Sequence, residues 1–577
     1  MVRTCPSVES MWTRVARPDS LVRTVVSVND SAVKVTLGRG SLAEDATAVP
    51  VSQSWPVAGP DERVKVLLVY PNYRGMNMLP PAIGLLSACL LESGHEVELF
   101  DTTYYASVDD DEGELEDSDG KKSDQLMARP YDMPIELTLK TTNVFDDFAQ
   151  MVDEYEPDIL ALSCTEDMWH LGLRLLRHIR HTKQILTIAG GVFPTFAPEL
   201  VLGHDEVDIV CKGEGEDALR LLADRVGRGE DYSDIPNLWT LKADGSIRSN
   251  QIEMVDMNAN PLIDLGHFEE ARFYRPMGGR VWRMFPVETH RGCPYKCAFC
   301  NSPSQMAMYR NEIGENYLRR KTFEKMFREL TFYKEEMGAE YLYFWADTFF
   351  SWKPGEFETF AEMYEEIGLP FWCQTRVETV EYDRLIRMKE IGCARISFGL
   401  EHGNEDFRTK WLKRRMTNES IVDNFAIVNE VGIPFSVNNI LGFPHETREL
   451  AFDTVRLNRR FECNDRNAYA FTPFHGTPLR EECERLGFLE DGDIVRSMVT
   501  DGTPLDMPQF PRTQVLSLVK TFNMYVRFEE ERWPEINLAE QDTPEGREKY
   551  DELRGEFMTR FWADEPSTSF EDASASV

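Results

Sequence analysis

Apolar positions along the chain fall into short runs separated by stretches with helical spacing. Val64-Lys-Val-Leu-Leu-Val-Tyr70 is the first such run, ended by Pro71-Asn72 and followed by helical periodicity from Pro80 to Ser93. The alternation repeats through a strand at Glu96 to Phe100, a helix near Asn143 to Tyr155, a strand at Asp158 to Ser163 and a helix near Met168 to His181. Strands at Ile185 to Ala189 and Asp208 to Cys211 follow. Buried strands alternating with helices predict an open parallel α/β sheet, whose ligands bind at the carboxyl ends of its strands.

A stretch rich in Asp, Asn and Pro, residues 241–275, reads as a linker before a second series. Its predicted strands run from Arg283 to Thr289, Tyr341 to Trp345, Phe371 to Gln374, Ala394 to Phe398, Phe435 to Ile440 and Ala468 to Phe471, with helices between. Six strand-helix units in about 190 residues suit a partial (β/α)6 barrel better than a closed eight-fold one. After Pro478 the spacing becomes helical, notably from Thr513 to Arg532. The expected organisation is an N-terminal extension over 1–60, a Rossmann-like α/β domain over 61–240, the barrel over 276–480, a helical C-terminal segment over 481–563 and a low-complexity tail over 564–577. Such a division agrees with the length of 577 residues, since single cores stop growing beyond roughly 250–300 residues.

Charge removes one class of partner. The formal net charge of −36 argues against nucleic acid, which needs a basic footprint. Part of the acidity sits in one run, Asp109 to Asp119, which reads as a solvated insertion and not a metal site. No run of about 18 uncharged apolar residues and no charged-then-apolar segment at Met1 is found, so membrane insertion and export are not expected and the cytoplasm is the expected compartment. The eleven cysteines are mostly scattered through apolar stretches, as at Cys89, Cys164 and Cys211, and read as buried thiols rather than a disulfide framework.

Three cysteines stand apart. Cys293-Pro-Tyr-Lys-Cys297-Ala-Phe-Cys300 follows the first predicted barrel strand and places three thiolates in eight residues, a spacing that holds a [4Fe-4S] cluster from one loop. Three ligands for four irons leave one iron open to a substrate or cofactor. A zinc site is the alternative, with His290 three residues upstream, but structural zinc uses paired C-x-x-C knuckles and no second pair is near.

The triplet, the strand before it and Phe299 resemble the radical S-adenosylmethionine (SAM) superfamily. Later segments fit that resemblance in order: Phe344-Trp-Ala-Asp347, Ser397-Phe-Gly-Leu-Glu401-His-Gly403-Asn404, Asn439-Ile440-Leu-Gly442-Phe-Pro-His-Glu446, and Phe471-Thr-Pro-Phe-His475-Gly476-Thr477-Pro478. The resemblance implies a SAM site drawn from Phe299, Asp347, Arg376, Glu401, Ile440 and Gly442, with Arg376 forking onto the SAM carboxylate. It also implies reductive cleavage of SAM to a 5′-deoxyadenosyl radical, with the electron supplied by a donor such as flavodoxin or ferredoxin.

An α/β domain ahead of such a barrel resembles the cobalamin (B12)-binding class of the superfamily. Pro80-Pro81-Ala-Ile-Gly84-Leu, Ser163-Cys164-Thr165 and Gly190-Gly191-Val-Phe-Pro194 carry that resemblance and imply a corrin cradle with close backbone approach. One departure is plain. The Asp-x-His-x-x-Gly stretch of many cobalamin proteins is here Tyr70-Pro-Asn-Tyr73-Arg74-Gly75, so the resemblance implies cobalt without a histidine ligand, with Tyr73 or Arg74 below it.

The expected function is a cobalamin-dependent C-methyltransferase acting on a small-molecule or peptide substrate. A cyclase, rearrangement or dehydration enzyme of the same class, and a noncatalytic metal-binding interaction protein, are the alternatives. His95, His170 and His445 lie in no nucleophile elbow, which leaves hydrolase chemistry without support.

Overall fold

The computed structural model describes residues 58–562 apart from 77, 108–117, 130, 181, 354 and 497–501, together with a two-stranded hairpin, Val25–Asn29 and Ala32–Thr36. The extension read over 1–60 lies largely outside the described residues. So do most of the acidic run and the tail over 564–577. The described residues from 58 to 562 form one compact unit with two seven-stranded sheets.

The first sheet contains β1 (Lys65–Tyr70), β2 (Glu96–Asp101), β3 (Ile159–Ser163), β4 (Leu186–Gly190), β5 (Ile209–Cys211), β6 (Leu238–Leu241) and β7 (Ile247–Ser249), in the spatial order β2-β1-β3-β4-β5-β6-β7. Pairings from β2 to β5 are parallel and the last two antiparallel. Both faces are covered, which is why the strands read as unbroken apolar runs. Val66 and Leu68 pack with Ile83, Leu90 and Leu222 of helices Pro81–Glu92 and Glu216–Arg228. Leu67 and Val69 face the other way, onto Phe148 and Leu175 of helices Val144–Tyr155 and Trp169–Arg180. Strand order reverses between β1 and β3, which opens a crevice at their carboxyl ends.

The second sheet runs β8 (Tyr274–Met277), β9 (Arg280–Val287), β10 (Tyr341–Phe344), β11 (Phe371–Arg376), β12 (Cys393–Glu401), β13 (Phe435–Leu441) and β14 (Asp465–Ala470). Six parallel strands, β9 to β14, form the partial barrel, and β8 pairs antiparallel on its edge. The stretch read as a linker is therefore partly sheet. Ile247–Ser249 extends the first sheet and Tyr274–Met277 edges the second. Both strands are too short and too polar to show a two-residue period.

Helix Arg512–Arg527 lies along β14 and helix Arg448–Asn458, with Asn523 Nδ2 donating to the Arg466 carbonyl at 3.0 Å. It covers the barrel's open edge. It ends five residues short of the expected Arg532 because Phe528 takes extended backbone. Helices Trp533–Ala539 and Pro544–Phe557 complete the C-terminal segment. Among the described residues no helix is long and apolar enough to cross a membrane.

Candidate active site between the two sheets

Gly292 follows the short strand His290–Arg291 with φ +90°, and a Cβ there would lie 3.1 Å from the Leu318 backbone. The chain turns at this point into the cysteine loop, which ends where helix Ser302–Ile313 begins. Neighbouring elements pin the loop. Ala298 N donates to the Leu412 carbonyl at 3.2 Å, Leu479 N donates to the Ala298 carbonyl at 3.0 Å, and Asn301 Nδ2 donates to the His475 carbonyl at 2.7 Å. Cys297 is buried, and Cys293 and Cys300 are half-buried. Burial pushes the Cys293 thiol up to about 12 and the Cys300 thiol up to about 11.

Both His290 ring nitrogens are engaged, Nδ1 with Thr289 at 3.0 Å and Nε2 with Ser351 at 2.9 Å, so it is not held ready as a zinc ligand. Among the described residues no three His, Cys, Asp or Glu side chains converge as a single ion needs. Three soft thiols on one loop fit an iron–sulfur cluster, whose thiolates sit on separate irons.

The residues implied for SAM surround this loop. Arg376, ending β11, donates from Nη1 to Cys297 Sγ at 2.8 Å, from Nε to Glu378 at 2.6 Å, and stacks 3.8 Å from the Tyr295 ring centroid. Glu401, ending β12 with φ +69°, accepts from Arg414 Nη1 at 3.0 Å. Burial raises the Glu401 carboxyl while Arg414 and Arg376 pull it down. Asp347, past the end of β10, accepts from Ser302 Oγ at 2.6 Å. Gly442, following Ile440 and Leu441 of β13, has φ +87°. Its N–H and that of Phe443 donate to Glu446 Oε2 at 2.5 and 2.9 Å, and Glu446 Oε1 meets His402 Nε2 at 3.0 Å. Phe299 packs on Phe443, centroids 6.0 Å apart. The Arg414 and His402–Glu446 partners are absent from the residues inferred from sequence. The last two lie inside the segments quoted above, but nothing in their spacing shows that they pair.

A cavity of about 660 Å³ joins the two sheets. Ser163, Gly190 and Gly191 line it from the first sheet, and Phe299, Cys300 and Asp347 from the barrel. Gly191 has φ +113° and sits against the Cys164 carbonyl oxygen, 2.5 Å from where a Cβ would be. Backbone therefore forms this part of the wall. Cys164 itself is buried behind it, and Thr165 is exposed without lining the cavity.

Tyr73 and Arg74 are not in the lining either. Tyr73 is buried in the core beneath the sheet, and their loop is tied down by Asn72 hydrogen bonds to Thr102 and Thr103 and by Arg272 donating to the Met76 and Met78 carbonyls at 3.0 Å. Among the described residues the first sheet offers no histidine to the cavity.

Buried ion pairs hold the sheets together around it. Arg291 reaches Glu214 and Glu216 at 2.6 Å each, and Arg319 also pairs with Glu214. On another side Glu166 accepts from His475 N and meets His475 Nδ1, both at 2.8 Å, and accepts from Val495 N at 3.0 Å.

Residues 287–457 match the profile of the radical SAM superfamily, and residues 130–223 that of the B12 binding domain. An uncharacterized methyltransferase of Pyrococcus horikoshii is 25% identical over 363 residues, 62% of this chain and 76% of its own length. The cobalamin-dependent radical SAM methyltransferase TokK of Streptomyces tokunonensis is 28% identical over 189 residues, 31% of this chain and 26% of TokK. Among solved structures, the radical SAM methyltransferase TsrM of Kitasatospora setae with cobalamin and [4Fe-4S] cluster bound aligns with a TM-score of 0.57 at 14% identity, over 86% of this chain and 99% of that one. OxsB with aqua-cobalamin and SAM bound aligns with a TM-score of 0.58 at 16% identity, over 86% of this chain and 71% of that one. The two profiles fall in chain order on the first sheet and on the barrel that carries the cysteine loop. A radical SAM domain and, ahead of it, a B12-binding domain are both found in this chain.

Proposed function

We propose that the protein is a cobalamin-dependent radical SAM methyltransferase that moves a methyl group from SAM to a carbon of a small-molecule or peptide substrate. The observation that carries this reading is the shared cavity. The carboxyl-end loops of the first sheet and Cys300 of the cluster loop open into the same space. When bound, cobalamin supplies a methyl carrier and the cluster supplies the electron that cleaves SAM.

The chain's own residues then have separable tasks. Cys293, Cys297 and Cys300 hold the cluster. Arg376 and Glu401, each on a charged partner beside that loop, orient the polar end of SAM, with Asp347 fixed by Ser302. Phe299, Ile440 and the Gly442 turn flank the adenine. Ser163, Gly190 and Gly191 let the corrin approach backbone closely, and Cys164 and Thr165 continue that loop. Tyr73 and Arg74 support it from behind. Ser163, Gly190 and Gly191 would line the space that holds cobalamin, and among the described residues the first sheet places no histidine in that lining. The electron comes from a flavodoxin- or ferredoxin-type partner.

Reconstitution with iron, sulfide and cobalamin, then anaerobic incubation with reductant and SAM, tests the reading. Corrin absorbance that survives desalting, with both S-adenosylhomocysteine and 5′-deoxyadenosine formed, is expected. Loss of the corrin bands on desalting overturns the cobalamin assignment, and absence of both products overturns the catalytic one.

A further inference from the structure

The inner surface of the partial barrel has two unlike walls. Phe371 and Cys373, Ile396 and Phe398, and Phe435 and Val437 lie in the apolar layer under the helices, so alternation turns Trp372, Ser397 and Asn438 inward. One wall is aromatic. Tyr343 lies between Trp345 and Trp372, with centroids 6.5 and 6.1 Å away. The other wall is polar. Ser397 Oγ accepts from Ser436 Oγ and Asn438 Nδ2 at 3.1 Å each, and Asn438 Oδ1 accepts from Asn467 Nδ2 at 2.8 Å. Trp345 and Tyr469 stay 43% and 40% exposed, although each sits at the carboxyl end of a barrel strand.

Arg275, on the edge strand β8, stands among these rings. Its guanidinium carbon is 5.1 Å from the Tyr343 centroid and 5.7 Å from that of Trp372. Its Nη1 is buried with no hydrogen-bond partner, and among the described residues no carboxylate pairs with it. Other enclosed arginines have acceptors: Arg272 has Asp101, Arg291 has Glu214 and Arg395, on the same inner surface, has Asp465, while Arg408 and Arg466 donate to backbone carbonyls. A guanidinium does not shed its proton, and although Arg275 as a whole is half-buried, its enclosed Nη1 donor without an acceptor is costly. The aromatic faces compensate only part of that cost. One unmatched cation calls for one anionic group.

We propose that Arg275 anchors the carboxylate of a planar aromatic acid, with its ring between the aromatic wall and the Asn438–Asn467 wall. This names the substrate class for the reaction proposed above and rests on that reading of the barrel. A carboxylate directly on a ring matches a guanidinium that already lies beside ring faces, and the fork allows bidentate contact.

Equilibrium dialysis of the reconstituted holoenzyme against 2-naphthoate and its neutral isostere 2-naphthamide tests the assignment. The acid is expected to bind about tenfold or more tightly than the amide, in keeping with charge-assisted hydrogen bonds. Arg275→Gln is expected to remove the preference, and Arg275→Lys to retain part of it. Equal or undetectable binding of the two probes to the parent protein overturns the proposal, whether or not a variant folds. So does a preference that survives in Arg275→Gln. The binding step needs no SAM cleavage, so the two readings fail separately. Acid preference without S-adenosylhomocysteine or 5′-deoxyadenosine removes the methyl-transfer reading, and both products without acid preference remove only the Arg275 anchor.

Discussion

Adjacent glycines at the cavity wall give opposite expectations for the same substitution. Gly191 has φ +113° and ψ −170°, a region that is essentially glycine-only and costs an L-residue about 1–3 kcal/mol. A Cβ at Gly191 would also meet the Cys164 carbonyl oxygen at 2.5 Å and the Cys164 nitrogen at 3.2 Å. Both are backbone atoms, so no rotamer change relieves the clash. Moving the Cys164 segment breaks its N–H bond to the Gly190 carbonyl, 3.1 Å long and worth about 1 kcal/mol. Gly191→Ala is therefore expected to destabilise the protein by about 3 kcal/mol. At Gly190 the nearest atom to an added Cβ is Cys211 Cβ at 3.6 Å, an ordinary contact. Gly190→Ala should cost less than about 1 kcal/mol, on the scale of uncrowded surface and edge substitutions. Urea unfolding of both variants beside the parent, followed by circular dichroism, decides. Equal losses for the two, or a Gly191→Ala protein within about 1 kcal/mol of the parent, would refute the geometry.

Three further expectations follow from buried polar groups. Glu446 is fully buried and serves Gly442 N, Phe443 N and His402, so Glu446→Gln should lower stability by about 2 kcal/mol and weaken SAM binding, read by denaturation and by dialysis against SAM. Glu166→Ala leaves two backbone donors and His475 without an acceptor, and hydrogen exchange at His475 and Val495 should quicken by tenfold or more, about 1.4 kcal/mol or greater. Burial lowers the His290 pKa from 6.5 to about 4, so its contribution is complete above pH 6.5 and is lost as pH falls toward 4, at most about 3 kcal/mol. His290→Asn should flatten the stability profile across that interval, and an unchanged slope contradicts the assignment.

The strands were legible where at least one face is buried in a continuous apolar layer. Lys65–Tyr70 shows as an apolar run because helices cover the first sheet on both sides, and Phe435–Leu441 begins with the alternation of Phe435 and Val437, under the helices, with Ser436 and Asn438, which face inward. Ile247–Ser249 and Tyr274–Met277 were hidden because they are short edge strands with exposed or half-exposed side chains, so no burial pattern marks them. The cysteine loop was legible because all its chemistry lies within eight residues. Placing Tyr73 and Arg74 below the cofactor was an inference from chain position alone. The loop is held by Arg272, some two hundred residues away, and Tyr73 packs in the core, contacts that chain position does not show. Arg414 on Glu401 and Arg275 among Tyr343 and Trp372 were likewise invisible. They are long-range pairs on strands and loops, where side-chain direction depends on register and not on motif spacing.

The central claim is that cobalamin and the cluster serve one cavity and one methyl transfer. It is tested most directly by incubating the reconstituted, reduced protein with SAM carrying a trideuteromethyl group and analysing the protein-bound corrinoid fraction by mass spectrometry. The account predicts that the trideuteromethyl label appears in that fraction and that a Gly190→Trp protein, with a bulky side chain at a cavity-lining position that has room for a Cβ, does not acquire it. A corrinoid that stays bound yet never takes up the label contradicts it.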